Sequence, residues 1–484
     1  MAELRRSASN GMLWSGVMSF SQQVLGLFFT IVIARRLVPA DYGMVGMLAI
    51  FSALATTLQD GGLIWALTNK ENVTQKEYST VFWFNIGLGA LIYLMLFLSA
   101  PFLASYFGHS ELIWLSRLVF LGIFISSFGI IQTAILYREL RVKERTIAAI
   151  LSQVISGITG VVLAYNGFTY WGIAVQGVVL MLVNTIILWI YSPFRPSLVF
   201  DARFIKQILI DGVRFVIPNI FSIASENIFS FILGKKYTVH DVGNYSQATK
   251  WNTTGYSFVL NTMRNVSQPV LVQVRDDKEH FLAVFRKLFR MSAFLIIPIM
   301  LGLAMVAPEF ISVLLTDKWL ESSLILRVLC VGGMVSTLNT MFSYFIMSLN
   351  RTKVYMWMGI LISVLNVSFA FIASCFGVIW LAYSYVLVSL ISFLLYYFLI
   401  RQTHSYTLLA VLEDVLPILV VTIGVFTAVY FATRSFHNIF LQLSCRIVFS
   451  ATLYLLCAKF LKIDSYIEIK CFISGWKRER RKGL

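Results

Sequence analysis

Seven polar residues spaced alternately three and four apart run through one long stretch of the chain: Gln247, Lys250, Thr254, Ser257, Asn261, Arg264 and Gln268. On an α-helix that spacing is a single face, continuous from one end to the other. Two of the seven are cations. A cation near the centre of a bilayer costs about 2.5–3.5 kcal/mol on insertion scales, so such a face must line water or meet protein. The stretch before it carries Asn219, Ser222, Glu226 and Ser230, and the first apolar stretch carries Ser15, Ser19, Gln22, Gly26 and Thr30. The second apolar stretch adds Thr56, Gln59 and Asp60. An acid such as Glu226, placed inside a membrane and facing a polar space, is a candidate functional site by default. For any single Ser or Thr the competing role is a hydrogen bond between helices. An unbroken stripe of seven argues instead for a polar central cavity.

The elements that must position these residues follow from composition. Hydrophobic residues make up 58% of the 484 and charged ones only 13%, beyond the norm for soluble domains. Apolar runs of about 20 residues recur along the chain, the length that crosses a bilayer as a helix. They predict an all-α integral membrane protein of about fourteen spans: 12–34, 42–67, 79–104, 112–137, 146–165, 171–191, 209–233, 242–272, 288–306, 324–348, 354–376, 378–399, 414–433 and 440–461. The connections near 192–208, 273–287 and 400–413 are amphipathic and mostly basic, as interfacial segments are. An even number of spans puts both termini on one side. That side collects 27 of the 39 Lys and Arg, against six on the other, so both termini are expected in the cytoplasm. The same asymmetry accounts for the net charge of +16 without nucleic acid. The first run, from about Gly11, is too long for a signal-peptide core and is expected to be a retained helix.

The chain also repeats itself. Ala34-Arg35-Arg36-Leu37-Val38-Pro39-Ala40-Asp41-Tyr42-Gly43 is echoed by Gly234-Lys235-Lys236-Tyr237-Thr238-Val239-His240-Asp241-Val242-Gly243. A small residue, two cations, an Asp and a Gly keep their spacing. Arg117-Leu118-Val119-Phe120-Leu121-Gly122 is echoed by Arg327-Val328-Leu329-Cys330-Val331-Gly332, each after an Ala-Pro ending in Pro101 or Pro308. Two echoes in the same order predict two pseudo-symmetric six-helix lobes, 1–200 and 201–402, followed by two additional helices and a basic tail, 403–484. With six spans each, the lobes insert the same way up, about an axis along the membrane normal. A duplicated membrane protein is most often a transporter with its site between the halves. The cavity is expected among spans one, two, seven and eight.

Enzyme chemistry finds no foothold. The five His (His109, His240, His280, His404, His437) are scattered without metal spacing, and no Walker A sequence is present. The five Cys show no paired spacing, so neither disulfides nor zinc is expected. Gly61-Gly62 and Gly332-Gly333 suit close helix packing. A membrane glycosyltransferase or polymerase would be expected to carry acidic motifs in a sizeable outer loop, whereas the outer loops here are short.

Ala34 to Gly43, Asp60-Gly61-Gly62, Tyr78-Ser79-Thr80-Val81-Phe82-Trp83-Phe84-Asn85, Arg195-Pro196-Ser197-Leu198, and Asp276-Asp277-Lys278-Glu279 with Arg286-Lys287-Leu288 carry a resemblance. Over about the first 400 residues the chain resembles the Wzx-type polysaccharide flippases, in particular the colanic-acid-exporter-like branch of the multidrug/oligosaccharidyl-lipid/polysaccharide (MOP) superfamily. The resemblance implies alternating access and an undecaprenyl-diphosphate-linked oligosaccharide carried from the cytoplasmic to the outer leaflet of a bacterial inner membrane. It implies membrane lipids and other polysaccharide-assembly proteins as partners, and no nucleic acid. The two helices after about residue 403 depart from the twelve-helix core; in related lipid flippases such helices cradle the lipid tail. A drug/cation antiporter of the same superfamily is the alternative, and the cations of span eight favour an anionic substrate over a cationic drug.

On that basis Arg264, with Lys250 and Arg214, is expected to hold the diphosphate, since an Arg fork suits phosphate oxygens. Gln247, Asn261 and Gln22 are expected to complete the substrate-binding surface. Glu226 and Asp60 are the candidates for coupling to H⁺ or Na⁺; no cofactor or resident metal is expected. The rival roles are static ties, Arg264 to Asp60 and Glu226 to Lys250. Arg35, Arg36 and Asp41, with Lys235, Lys236 and Asp241, are expected to form an outer gate, against the alternative that these cations snorkel and fix helix depth.

Overall fold

In the computed structural model the structure describes residues 2–60, 62–70, 73–402 and 406–468. In chain order the helices are α1 Ala2–Arg36, α2 Pro39–Gly46, α3 Ala49–Asp60, α4 Leu63–Asn69, α5 Gln75–Phe107, α6 Leu112–Ser127, α7 Ile130–Arg138, α8 Val142–Tyr165 and α9 Thr169–Tyr191. They continue as α10 Ala202–Lys236, α11 Val239–Gln273, α12 Lys278–Leu315, α13 Leu320–Ser348, α14 Thr352–Ala373, α15 Val378–Arg401, α16 Leu408–Thr433 and α17 Ile439–Phe460. No strand occurs among the described residues. That is the economy lipid enforces, because a helix satisfies its backbone hydrogen bonds internally.

The all-α membrane architecture is as expected, but the count of fourteen is not reproduced by length and apolarity. Eleven helices among the described residues are long and apolar enough to cross a membrane, or twelve if α6 and α7, bent by 42°, make one broken span. The two expected spans missing from that tally are carried by α10 and α11. Each is 35 residues long, about 52 Å at 1.5 Å per residue. Their length suffices; the polar faces that mark them in the sequence keep them below an apolar threshold.

Polar caps start the helices where the sequence pattern places boundaries only loosely. Thr74 and Glu77 form a reciprocal capping box on α5, and Glu77 also pairs with Lys70. The Asp201 carboxylate accepts from Arg203 N and Phe204 N at the start of α10, and Asp277 from Glu279 N and His280 N at the start of α12. Each connection expected to be interfacial runs into the start of a long helix, α10, α12 or α16.

The molecule comprises two compact units, 1–243 and 244–484. In the first, α1 packs on α8, α8 on α9, α5 on α6, and α6 on α9, while α10 lies on α3, α4 and α5. Gly157 lets α8 approach α1 so closely that a Cβ there would fall 2.2 Å from the Phe29 ring. Between α9 and α10 the extended segment 192–200 is strapped to α5. Ser197 N and Oγ both donate to Ser79 Oγ, Trp83 Nε1 donates to the Ser197 carbonyl, and Asp201 N donates to Thr80 Oγ1. The two motifs at Tyr78–Asn85 and Arg195–Leu198 therefore meet, as a fastening for the connection between the repeats.

In the second unit α12 packs on α13, and α13 on α15. The additional helices α16 and α17 are tied to α12 at both ends. Asp414, whose side chain is 1% exposed, accepts a two-pronged Arg286 (Nε and Nη2 both at 2.9 Å) and the Tyr406 hydroxyl at 2.8 Å. Arg290 bridges Asp414 to Glu468. Burial pushes the Tyr406 phenol well up, with the Asp414 carboxylate adding to it, so it stays a donor. Toward the other end buried Arg446 of α17 meets Glu309 at 2.7 Å and donates to Thr433 Oγ1 at 3.1 Å, and Tyr454 donates to the Phe294 carbonyl. Removing one member of a buried pair strands the other. Asp414→Ala is expected to destabilise the unit by about 3–5 kcal/mol, read as a lowered thermal midpoint of the detergent-solubilised protein. Loss of protein on purification would be relieved by Asp414→Asn, which keeps a hydrogen-bond acceptor for Tyr406.

Candidate functional site

The polar faces form as their spacing requires, and burial sorts their members. On α11, Lys250, Asn261 and Arg264 are exposed, Thr254, Ser257 and Gln268 are half-buried, and Gln247 is 1% exposed with neither amide atom partnered among the described residues. Gln247 thus sits inside the helix packing rather than on the open part of the face. Arg264 makes no ion pair within its unit among the described residues, and its charge acts on the nearby Tyr344 phenol of α13. On α10, Glu226 is exposed and accepts from Ser222 Oγ at 3.1 Å, one helical turn away. Asp60 ends α3, where Gly62 turns the chain at φ 69°; its Oδ1 is buried without a hydrogen-bond partner among the described residues. The side chain of Arg214 lies outside the described residues, as does Gly61.

The two basic repeats occupy matched places. Arg36 closes α1 and Lys236 closes α10; Asp41 and Asp241 then sit in the first turns of α2 and α11. Each Asp accepts a backbone N–H three residues earlier at 3.0 Å, Val38 for Asp41 and Thr238 for Asp241. Both carboxylates are helix caps, a task the matched spacing did not reveal. Arg36 stacks over Tyr165, and Lys235 donates to the Tyr106 carbonyl. The repeats also touch in a reciprocal cross: a Cβ on Gly43 would fall 1.9 Å from the Val239 carbonyl oxygen, and one on Gly243 would fall 1.8 Å from the Pro39 carbonyl oxygen. Each glycine meets the residue four before the other. Only a residue without a side chain permits the backbones to come so near.

Two cavities went unforeseen. In the first unit α1, α7, α8 and α9 border a half-open cavity of about 290 Å³ lined by Gln22, Thr133, Arg145, Ser152, Gln153 and Asn184. Of the site residues expected from the sequence, Gln22 is one that lines it. In the second unit α13, α14 and α15 border a half-open cavity of about 170 Å³ rich in hydroxyls, where Ser343 donates to Tyr396 and Asn339 to the Ser389 carbonyl. Lone amides inside apolar runs, Gln153, Asn184 and Asn366 among them, are the signal that marks these places.

The chain matches the family described as "Polysaccharide biosynthesis protein" over residues 32–324. It is 20% identical to the teichuronic acid biosynthesis protein TuaB of Bacillus subtilis (strain 168), across 97% of this chain and 98% of that one. It is 23% identical to the lipopolysaccharide biosynthesis protein WzxC of Escherichia coli (strain K12), across 72% of each. Among solved structures its fold is similar to that of the lipid II flippase MurJ in an inward closed conformation, with TM-score 0.76, 16% identity, and 94% and 99% of the two chains covered. It is also similar to a multidrug resistance MATE family transporter of the MOP superfamily, with TM-score 0.63, 19% identity, and 79% and 95% covered. The resemblance carried by the motifs is borne out, and the two solved structures are those of a flippase and a transporter rather than of enzymes. The chain belongs to the polysaccharide biosynthesis protein family, as a multi-pass membrane protein with the fold of the MOP superfamily.

Proposed function

We propose that this protein is a flippase, moving undecaprenyl-diphosphate-linked oligosaccharide repeat units across the bacterial inner membrane by alternating access. The observation that carries this reading is the polar face of α11, which bears Lys250, Asn261 and Arg264, the last two exposed, in a chain of that family. Cations that no lipid tail would tolerate suit a phosphate-bearing cargo. Glu226 and Asp60 couple the cycle to H⁺ or Na⁺, both termini are cytoplasmic, and other polysaccharide-assembly proteins work beside it. Deleting the gene is expected to accumulate lipid-linked repeat units on the cytoplasmic face of the membrane. Normal delivery of repeat units to the outer leaflet in the deletion strain would overturn the reading. Uptake or export of cationic drugs without any lipid-linked glycan would instead favour the antiporter.

The outer gate belongs to the same reading. Arg35, Arg36, Lys235 and Lys236 approach at the outer mouth, and the Gly43–Gly243 cross, with Asp41 and Asp241 capping beside it, sets how near they come. Cysteines at positions 36 and 236 are expected to cross-link in one transport state. Gly43→Val, which must displace the Val239 carbonyl, is expected to cut that yield severalfold. Cysteines that never come within disulfide range in any state would leave the cations as depth anchors.

A further inference from the structure

The cavity of the first unit has a composition that the flippase reading does not use. Its one formal charge is Arg145, in the first turn of α8. That guanidinium lies 4.3 Å over the Tyr137 ring and makes no ion pair among the described residues. Around it stand neutral groups that both donate and accept, the Gln22, Gln153 and Asn184 amides and the Ser152 hydroxyl, with Met181 and Leu188 supplying an apolar wall. At about 290 Å³ it falls at the bottom of the roughly 300–1,000 Å³ range of small-molecule sites. That is room for one sugar ring rather than for a repeat unit.

We propose that this cavity is a subsite for a single acidic sugar residue of the glycan, its carboxylate on Arg145 and its hydroxyls on the surrounding amides. The proposal rests on the glycan-flippase reading and adds the chemical class of one sugar. A diphosphate carries more charge than one guanidinium answers, and its oxygens only accept, so the amide and hydroxyl oxygens around Arg145 would find no donor. A neutral sugar, conversely, would leave the half-buried Arg145 charge with the Tyr137 ring alone and no anion to answer it. A uronic acid satisfies both: one bidentate carboxylate–guanidinium contact, hydroxyls that donate and accept, and a C–H face for the Met181–Leu188 wall. The cavity lies wholly within one unit, so the subsite is complete without the other.

The test uses the detergent-solubilised full chain and free sugars, with saturation-transfer NMR as the readout. Glucuronate is expected to bind at least tenfold more tightly than glucose. Arg145→Gln should abolish that difference, Arg145→Lys should keep part of it, and Gln153→Leu should weaken both sugars. Ala149→Phe fills the cavity from α8 without touching the charge and should remove both signals, which keeps the test decisive if Arg145→Gln folds poorly. Equal binding of the two sugars, or glucuronate binding unchanged in Ala149→Phe, would overturn the proposal. So would inorganic phosphate displacing glucuronate in a manner indifferent to Gln153→Leu, the mark of a bare anion site. Failure here with intact flipping of lipid-linked glycans sinks the subsite alone. Loss of the function itself would appear as absent flipping with sugar binding retained.

Discussion

Arg264→Ala is expected to weaken binding of a diphosphate-linked lipid by roughly ten- to a hundredfold and to reduce export accordingly. The magnitude follows from a charged hydrogen bond, worth about 1.5–3 kcal/mol, at 1.4 kcal/mol per tenfold. Arg264 is exposed and makes no ion pair within its unit among the described residues, so its charge is available to a ligand. It lies about eight residues, or roughly 12 Å, from the cytoplasmic end of its helix in the proposed orientation, on the loading side. Arg264→Lys keeps the charge but loses the planar fork, and is expected to fall between wild type and Ala. Binding of the diphosphate lipid to the purified variants measures this directly. If both variants bind and export normally, Arg264 is not the anion site. If Asp60→Ala restores export to Arg264→Ala, the two residues are instead a static tie.

Glu226→Gln is expected to abolish the dependence of flipping on an imposed ion gradient while leaving folding and lipid binding intact. Glu226 is exposed on α10 and accepts a hydrogen bond from Ser222 within the helix; glutamine retains that acceptor and removes the charge. A cation that binds one access state better than the other biases the cycle, and only by that difference in affinity. Proteoliposomes with a proton or sodium gradient of either sign provide the measurement. Unchanged gradient dependence in Glu226→Gln would exclude coupling and leave Glu226 to a structural pair with Lys250.

Much of this was legible in the sequence, and the rest has physical reasons for being hidden. The helices announce themselves because lipid demands long apolar runs, and α11 stands out because a polar stripe inside a membrane is costly. The apolar tally stops short of fourteen at the same stripe: the polar faces that single out α10 and α11 in the sequence keep them out of it. The motifs carried family identity, but their residues perform structural tasks visible only in three dimensions. Asp41 and Asp241 cap helices, Asp277 starts α12, and Ser79 with Trp83 fastens the segment at Ser197. Arg286 reaches Asp414 across 128 positions of sequence, a pairing no local pattern encodes. In the sequence Arg145 is one more cation near the start of a helix, with nothing local to set it apart. Its cavity exists only where four helices converge.

The most direct measurement places the purified protein in proteoliposomes with a fluorescent undecaprenyl-diphosphate-linked oligosaccharide in one leaflet and follows its appearance in the other by a membrane-impermeant quencher. The account predicts protein-dependent transfer of the glycan-bearing lipid, steepened by an ion gradient and lost in Arg264→Ala. Transfer no faster than in protein-free liposomes, under gradients of either sign, would contradict it.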